Sequence, residues 1–407
     1  MRILFLNGYF YPENIAYTHL EQDLLKSIVE DGHTVDVICP TPSRGIDEET
    51  KIKYSSILEE NLYNGKVKVH RFPLGAEKAS TLKRFIRYFI CDFKTYFIAK
   101  KYKADIVFAV STPPIQGLLA GKVAKKIGAK FVYNLQDIFP DSLITTGLSG
   151  KKSLAWKIGR KIEDATYNGA EKIIVISESM KRNIMQKGVS EKKIVVVSNW
   201  IDTNSVKPVA KEDNRLYDEF AIPHDKFLVV YAGNFGAAQG ADVVLRAAEL
   251  LKDNEDIRFV IFGGGAEFED AQKKAKELPN VIINPLLPPE RVSEVYSLGD
   301  IALITCKKGV GGSGMPSKTW SIMACNTPII ASFDTDSELA EILKMSGAGT
   351  SVCPGDEKAL AEKILSVKND NKECKAREYV CKYASADVCP KKYVEVLKYS
   401  CKQEGNV

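Results

Sequence analysis

The chain lacks the marks of several large protein classes. No window of 18 or more apolar residues runs free of charge, so no segment is expected to span a bilayer. Nine cysteines, an odd number, show no C-x-x-C pair and mostly fall in strand or helix patterns, which excludes a disulfide framework and a zinc site. The four histidines (His19, His33, His70, His224) have no ligand spacing, and no metal centre or other cofactor is expected. The amino terminus MRILFLNGY holds a short apolar run that suits a first strand. It lacks the longer apolar stretch and small-residue cleavage site of a signal peptide, so export by that route is not expected. No G-x-G-x-x-G follows the first strand, and Phe262-Gly-Gly-Gly-Ala-Glu lacks the third glycine, which argues against a dinucleotide enzyme. No internal repeat, low-complexity segment, or Ser/His/Asp or Cys/His arrangement stands out.

What is present is ordinary globular composition, 45% hydrophobic and 27% charged over 407 residues, a length that suits two domains. The net charge of +5 conceals an asymmetry. Residues 1–205 carry 31 Lys+Arg against 22 Asp+Glu, and the remainder carries 26 against 30. Residues 78–130 alone hold twelve basic residues and only two acidic ones, Asp92 and Asp105.

Strand and helix patterns alternate. Residues 2–6, 34–39, 67–72, 106–110, 131–134, 172–176 and 194–197 read as strands, and helical periodicity lies between most of them. A polar, proline-containing segment from Thr203 to Lys226 reads as a linker, after which strands at 227–232, 258–262, 281–283, 301–305 and 329–331 alternate with helices. The pattern predicts an α/β protein of two doubly wound domains, each a mostly parallel sheet covered on both faces. Residues 1–205 form the first domain and 206–385 the second, and 386–407 form a helix returning to the first. Ligands of such sheets bind at the carboxyl ends of the strands, here bordering the cleft expected between the domains.

The stretch 309–332, GVGGSGMPSKTWSIMACNTPIIAS, packs a bare glycine loop, a helix start at Pro316 and a buried strand into under thirty residues. Unpaired N–H groups and the positive helix end suit an anion, and Lys318 adds a full charge, so the stretch reads as a phosphate site. An ordinary glycine turn is the plain alternative.

Spread along the chain are Gly8 with Tyr11-Pro12-Glu13, Gln136-Asp137 with Pro140-Asp141, Ile176-Ser177-Glu178, Asn199 to Asp202, Tyr231-Ala-Gly233, Phe262-Gly-Gly-Gly265 and Met323-Ala-Cys-Asn-Thr-Pro328. In that order and spacing they resemble the family-four retaining glycosyltransferases of the GT-B fold over nearly the whole chain. GNFGAAQG (233–240) and MPSKTW (315–320) are similar to the branch of L-fucosamine and colanic-acid transferases that build bacterial surface polysaccharides. The resemblance implies a hexosyltransferase-type enzyme that moves a sugar, such as an N-acetylated 6-deoxyhexosamine, from a UDP-sugar to a lipid-linked or saccharide acceptor with retention. A departing diphosphate must be stabilised and the acceptor hydroxyl held on the same face, which positioning and electrostatics supply without a protein nucleophile. The implied donor residues are Gly8, Gly233, Asn234, Gln239, Gly264, Leu286, Leu287, Ser313, Gly314, Met315, Pro316, Ser317, Lys318 and Ser321. Tyr11, Asn14 and Asp137 are implied for the acceptor, and Asp137 and Lys318 for catalysis.

Three departures stand out. Two family glutamates around the phosphate loop correspond to Ser313 and Ser321, so a carboxylate on the ribose is missing and only weaker hydroxyl bonds remain. An Arg and a Lys after the first strand of the second domain are replaced by Asn234 and Gln239, leaving more of the diphosphate charge to Lys318. The usual glycine pair near the amino terminus is Asn14-Ile15-Ala16.

Asp334-Thr-Asp336 invites a metal-binding D-x-D reading, but solvated acidic tripeptides in such loops are common and a helix end can replace the metal. Asp137 emerges after a buried strand and is the carboxylate expected to orient the acceptor, whereas Asp141 and Ser337-Glu338 suit helix capping. Residues 78–103 interleave Lys78, Lys83, Arg84, Arg87, Lys94, Lys100, Lys101 and Lys103 with ten apolar residues. They are expected to attach the protein to the anionic cytoplasmic face of the cell membrane, with packing on its own sheet as the alternative and nucleic acid as no partner. Two other functions stay open: a UDP-sugar 2-epimerase of the same fold, and a non-catalytic sugar-nucleotide-binding protein suggested by the missing Glu, Arg and Lys.

Overall fold

A computed structural model describes residues 1–13, 15, 17–75, 81–141, 153–311, 315–370 and 373–402. The chain separates into two compact units, Met1–Asn199 with Cys389–Val407, and Trp200–Val388.

In the first unit β1 (Arg2–Leu6), β2 (Thr34–Pro40), β3 (Glu59–Leu62), β4 (Val67–Phe72), β5 (Ile106–Val110), β6 (Lys130–Leu135), β7 (Lys172–Val175) and β8 (Ile194–Val196) form one sheet. Their order is β3-β4-β2-β1-β5-β6-β7-β8, and every pairing is parallel except β3 with β4. β5 is buried at every position, as a strand covered on both faces must be. The helices are α1 (Thr18–Glu30), α2 (Glu48–Ser55), α3 (Thr81–Ala99), α4 (Gln116–Ile127), α5 (Leu154–Gly169) and α6 (Glu178–Gln186). The C-terminal helix Cys389–Lys402 belongs to this unit, packs against α1 and β6, and sends the Tyr393 hydroxyl 3.2 Å from Asn134 Oδ1. The order in which strands are added reverses at β1, which makes the β1–β5 crevice the topological switch point.

The second unit holds β9 (Phe227–Asn234), β10 (Ile257–Gly264), β11 (Val281–Pro285), β12 (Ile301–Thr305), β13 (Ile329–Ser332) and β14 (Gly349–Val352), in the parallel order β11-β10-β9-β12-β13-β14. Its helices are α7 (Leu216–Glu219), α8 (Asp242–Leu250), α9 (Phe268–Ala275), α10 (Val292–Ser297), α11 (Lys318–Ala324), α12 (Glu338–Ser346), α13 (Glu357–Lys368) and α14 (Ala376–Tyr383). Here the switch point lies between β9 and β12. The segment 203–226, read as a linker, is instead part of this unit's core. Leu216, Tyr217 and Ile222 are buried, and the Arg377 guanidinium donates to the carbonyls of Thr203 (2.7 Å), Val206 (3.2 Å) and Ala324.

α3 is amphipathic in the inverse sense. Arg87, Cys91, Asp92 and Thr95 are buried, whereas Phe85, Ile86, Phe89, Ile90, Phe93 and Phe97 are 37–53% exposed. Arg87 ties loops together: its Nε donates to the Gly75 carbonyl at 2.8 Å and its Nη2 to Ser43 Oγ at 2.7 Å. Glu13, buried beside it, accepts from the amides of Ser43 (2.8 Å), Arg44 (3.0 Å) and Phe10 (3.2 Å), and its own burial raises its pKa. Burial also holds the Asp92 carboxyl well above the usual range, and neither of its oxygens has a hydrogen-bond partner among the described residues. No described helix is long and apolar enough to cross a membrane.

Candidate active site

Lys318 is the first residue of α11, behind Ser317, which caps the helix without a side-chain bond. Its ammonium turns under the end of β9, donates to the Ala232 carbonyl at 2.8 Å and lies 4.6 Å from the centroid of the Tyr231 ring. Burial lowers its pKa from 10.5 to about 8, because leaving water penalises the charged form. A Cβ at Gly233 would stand 2.2 Å from Lys318 Nζ, so glycine there makes room for the charge. The Tyr231 hydroxyl donates to the Asn234 carbonyl at 3.1 Å and fixes the strand's last turn of backbone.

Asn234 and Gln239, where the resemblance expects two cations, bond each other: Asn234 Nδ2 lies 3.3 Å from Gln239 Oε1. The loop they belong to is tied to the end of β12 by the Lys307 amide on the Ala238 carbonyl at 3.0 Å. Gly265 has φ +104°, and a Cβ there would meet Asn234 Oδ1 at 1.9 Å. That position needs glycine for both conformation and close approach. A Cβ at Gly264 would meet open space, Leu286 is 55% exposed with its amide on the Gly263 carbonyl at 2.7 Å, and Leu287 packs on the core. Thus Gly233, Asn234, Gln239, Gly264 and Lys318 gather at the carboxyl ends of β9 and β10, at the switch point.

Two amides of the glycine loop read as a phosphate site are already taken. The Gly309 and Gly311 amides donate to the Asp334 carboxylate, at 3.0 Å (Oδ1) and 2.8 Å (Oδ2) respectively, so they are not open to an incoming anion. Asp334 is therefore a loop fastener, whereas the sequence reading favoured a solvated loop tripeptide over a metal ligand and had no signal for these contacts. A Cβ at Gly311 would meet the Phe333 ring at 2.5 Å, which explains that glycine. Ser313 and Gly314 lie outside the described residues. Pro316 accepts from the Thr319 amide at 3.0 Å, Met315 packs on the core, Ser317 is exposed and Ser321 half-buried one turn into α11. Ser337 caps α12, accepting from the Ala340 amide at 3.3 Å.

In the first unit the loop after β5 joins two candidates. A Cβ at Gly8 would meet Pro113 Cδ at 2.3 Å, so this glycine permits the close packing of the β1 and β5 loops. Ser111 Oγ accepts from the amides of Gln136 (3.1 Å) and Asp137 (3.2 Å), leaving the Asp137 side chain exposed at the end of β6. Gln136 also accepts from Asn199 Nδ2 at 2.9 Å. Tyr11, 45% exposed, meets the Tyr54 ring edge-on at 6.4 Å, and its carbonyl takes Arg71 Nη2 at 3.0 Å. Asn14 lies outside the described residues. Asp141, expected as a cap, pairs with the Lys187 ammonium at 2.7 Å.

Two parallel-sheet units with a C-terminal helix shared back to the first define the GT-B fold. A structure of HepE from Anabaena, solved in complex with UDP, is similar to this chain at a TM-score of 0.71 and 15% identity, over 98% of this chain and 100% of that one. Residues 22–205 match the family model Glycosyltransferase Family 4, and residues 213–386 match Glycosyl transferases group 1. The chain is built of these two domains and is a glycosyltransferase. It is 29% identical over 276 residues to WbjE of Pseudomonas aeruginosa, named as a glycosyltransferase, covering 67% of this chain and 68% of WbjE. It is 26% identical over 362 residues to WcaI of Escherichia coli K12, named for colanic acid biosynthesis, covering 87% and 88%.

Proposed function

We propose that this chain transfers a sugar, an N-acetylated 6-deoxyhexosamine in the favoured reading, from a UDP-sugar to a lipid-linked or saccharide acceptor with retention, in bacterial surface polysaccharide synthesis. The observation that carries the reading is Lys318: one ammonium at the switch point of the second unit, half-withdrawn from water and given its place by Gly233. A diphosphate arriving there meets a charge whose attraction is strengthened by low surrounding polarity. Asn234 and Gln239 add neutral donors, and the backbone at Gly264 and Leu286 offers room for the base. In the first unit Asp137 orients the acceptor hydroxyl. The proton of that hydroxyl passes to the leaving phosphate oxygen, so no protein nucleophile and no metal is required. UDP in the HepE complex and the name of WcaI support donor and pathway respectively.

Attachment to the cytoplasmic face of the membrane through residues 78–103, of which 78–80 lie outside the described residues, forms part of the same reading. The outward aromatic face of α3, flanked by Lys83, Arg84, Lys100 and Lys101, suits the interface of an anionic bilayer. The test is UDP release from a panel of UDP-sugars with membrane extract as acceptor. Turnover supports transfer, and UDP binding without turnover supports a non-catalytic binding protein instead.

A further inference from the structure

The outward face of α3 and the end of β4 form a wide, open hollow. Phe72 at the end of β4 and Phe89, Ile90, Phe93 and Phe97 of α3 wall a trough of about 570 Å³, a size that suits a small hydrophobic ligand. The walls are almost entirely carbon, and Lys94 supplies the charge at the rim. Its ammonium donates to the Pro73 carbonyl at 2.8 Å and sits 6.0 Å from the Phe72 ring centroid. Beside Phe97, the Lys100 ammonium lies 4.4 Å from that ring's centroid. No carboxylate pairs with Lys94 or Lys100 among the described residues, and the one acid of α3, Asp92, is buried on the opposite face. An apolar channel with unpaired cations at its edge is complementary to a hydrocarbon chain that ends in a phosphate.

We propose that this trough holds the hydrocarbon tail of a single phosphorylated lipid, the tail of the acceptor, with Lys94 on its phosphate. The inference rests on the reading that the acceptor is lipid-linked, and it adds where the lipid lies. It also explains why the helix buries Arg87, Asp92 and Thr95 and turns its rings outward: its inner face knots the loops through Arg87, and its outer face is left for the lipid. Burial of an apolar tail supplies affinity, while the lysine selects a charged head over an uncharged alcohol.

The test uses farnesyl phosphate, kept monomeric, titrated into the full chain by calorimetry, with farnesol as the uncharged control. Alongside it, wild type and variants are sedimented with 3:1 phosphatidylcholine–phosphatidylglycerol vesicles. Binding of farnesyl phosphate is expected, at least tenfold tighter than farnesol. Ile90→Trp, at a half-exposed position, fills the trough and is expected to weaken farnesyl phosphate at least tenfold while keeping the wild-type melting temperature and vesicle binding. Lys94→Ala is expected to remove the preference for phosphate. Vesicle binding without farnesyl phosphate binding, or binding unaffected by Ile90→Trp, overturns the trough as a lipid site and leaves membrane attachment standing. Absence of both kinds of binding overturns the two together. A concentration-dependent dimer that Ile90→Trp dissolves, with no lipid binding, overturns the proposal in favour of a second copy as occupant.

Discussion

The ammonium of Lys318 lies 2.8 Å from the carbonyl oxygen of Ala232, on the far side of a glycine whose side chain would have taken its place. One lysine thus braces the end of β9 and places a charge at the switch point of the second unit.

If Lys318 holds the diphosphate as proposed, UDP binding is expected to depend on pH. Lys318 has a folded-state pKa of about 8, below its ordinary 10.5. A bound diphosphate raises it again, so above pH 8 each binding event takes up a proton. UDP affinity is expected to be flat below about pH 7, to have fallen about twofold by pH 8, and then to weaken by up to about tenfold per pH unit until the pKa of the complex is reached. Calorimetry in buffers of different ionisation heat reads the uptake directly, and Lys318→Ala should abolish it. The same depressed pKa gives folding the opposite trend. The unfolded chain holds more protons between pH 8 and 10.5, so this group's contribution to stability rises with pH across that window.

Gly233→Ala is expected to push the lysine end aside without unfolding the chain, since the obstructing atom is the tip of a flexible side chain. UDP affinity should fall roughly tenfold, and the loss should vanish when Lys318 is already alanine. Such a double-mutant cycle measures the coupling between the two positions. Independent, additive losses would break the assigned link.

Asp334→Asn removes the charge and one of the two acceptor oxygens, leaving a single amide oxygen for the Gly309 and Gly311 amides and an NH2 group that cannot accept. The expected cost is about 1 kcal/mol, read as a melting temperature lower by about 2–4 °C. If Asp334 fastens the loop and binds no metal, EDTA leaves turnover unchanged. A loss of activity restored by a divalent cation would return the residue to the metal reading.

The alternation of strands and helices was readable because central strands buried on both faces are continuous apolar runs, as in Ile106–Val110 and Ile301–Thr305. Two of the four edge strands escaped for the converse reason. Glu59–Leu62 (EENL) and Gly349–Val352 (GTSV) have no such run and are only partly covered. Pairing register, not hydrophobicity, makes them strands. At the site, Lys318 and its glycine loop were visible as residue types, but the company they keep was not. The pairings of Asp334 with Gly311, Gly233 with Lys318, and Ser111 with Asp137 join residues far apart in sequence, and a single sequence read by itself carries no signal for them. The inverted face of α3 was half legible: its mixture of rings and cations was plain, whereas the burial of Arg87 depends on Ser43 and Gly75.

Membrane attachment is tested with Lys83, Arg84 and Lys101 changed together to Glu, leaving the buried Arg87 in place. Binding to anionic vesicles is expected to be salt-sensitive, because exposed charges are screened within about 8 Å at physiological ionic strength. The triple variant should lose it. Equal binding of wild type to neutral vesicles would refute the electrostatic part.

The most direct measurement is steady-state UDP release by wild type and Lys318→Ala on a donor found in the UDP-sugar screen. Transfer with Lys318 as the diphosphate cation predicts acceptor-dependent release by wild type and a drop in kcat/KM of about a hundredfold in the variant, the scale of a lost transition-state charge contact. Unchanged kinetics and unchanged UDP affinity in Lys318→Ala would contradict it.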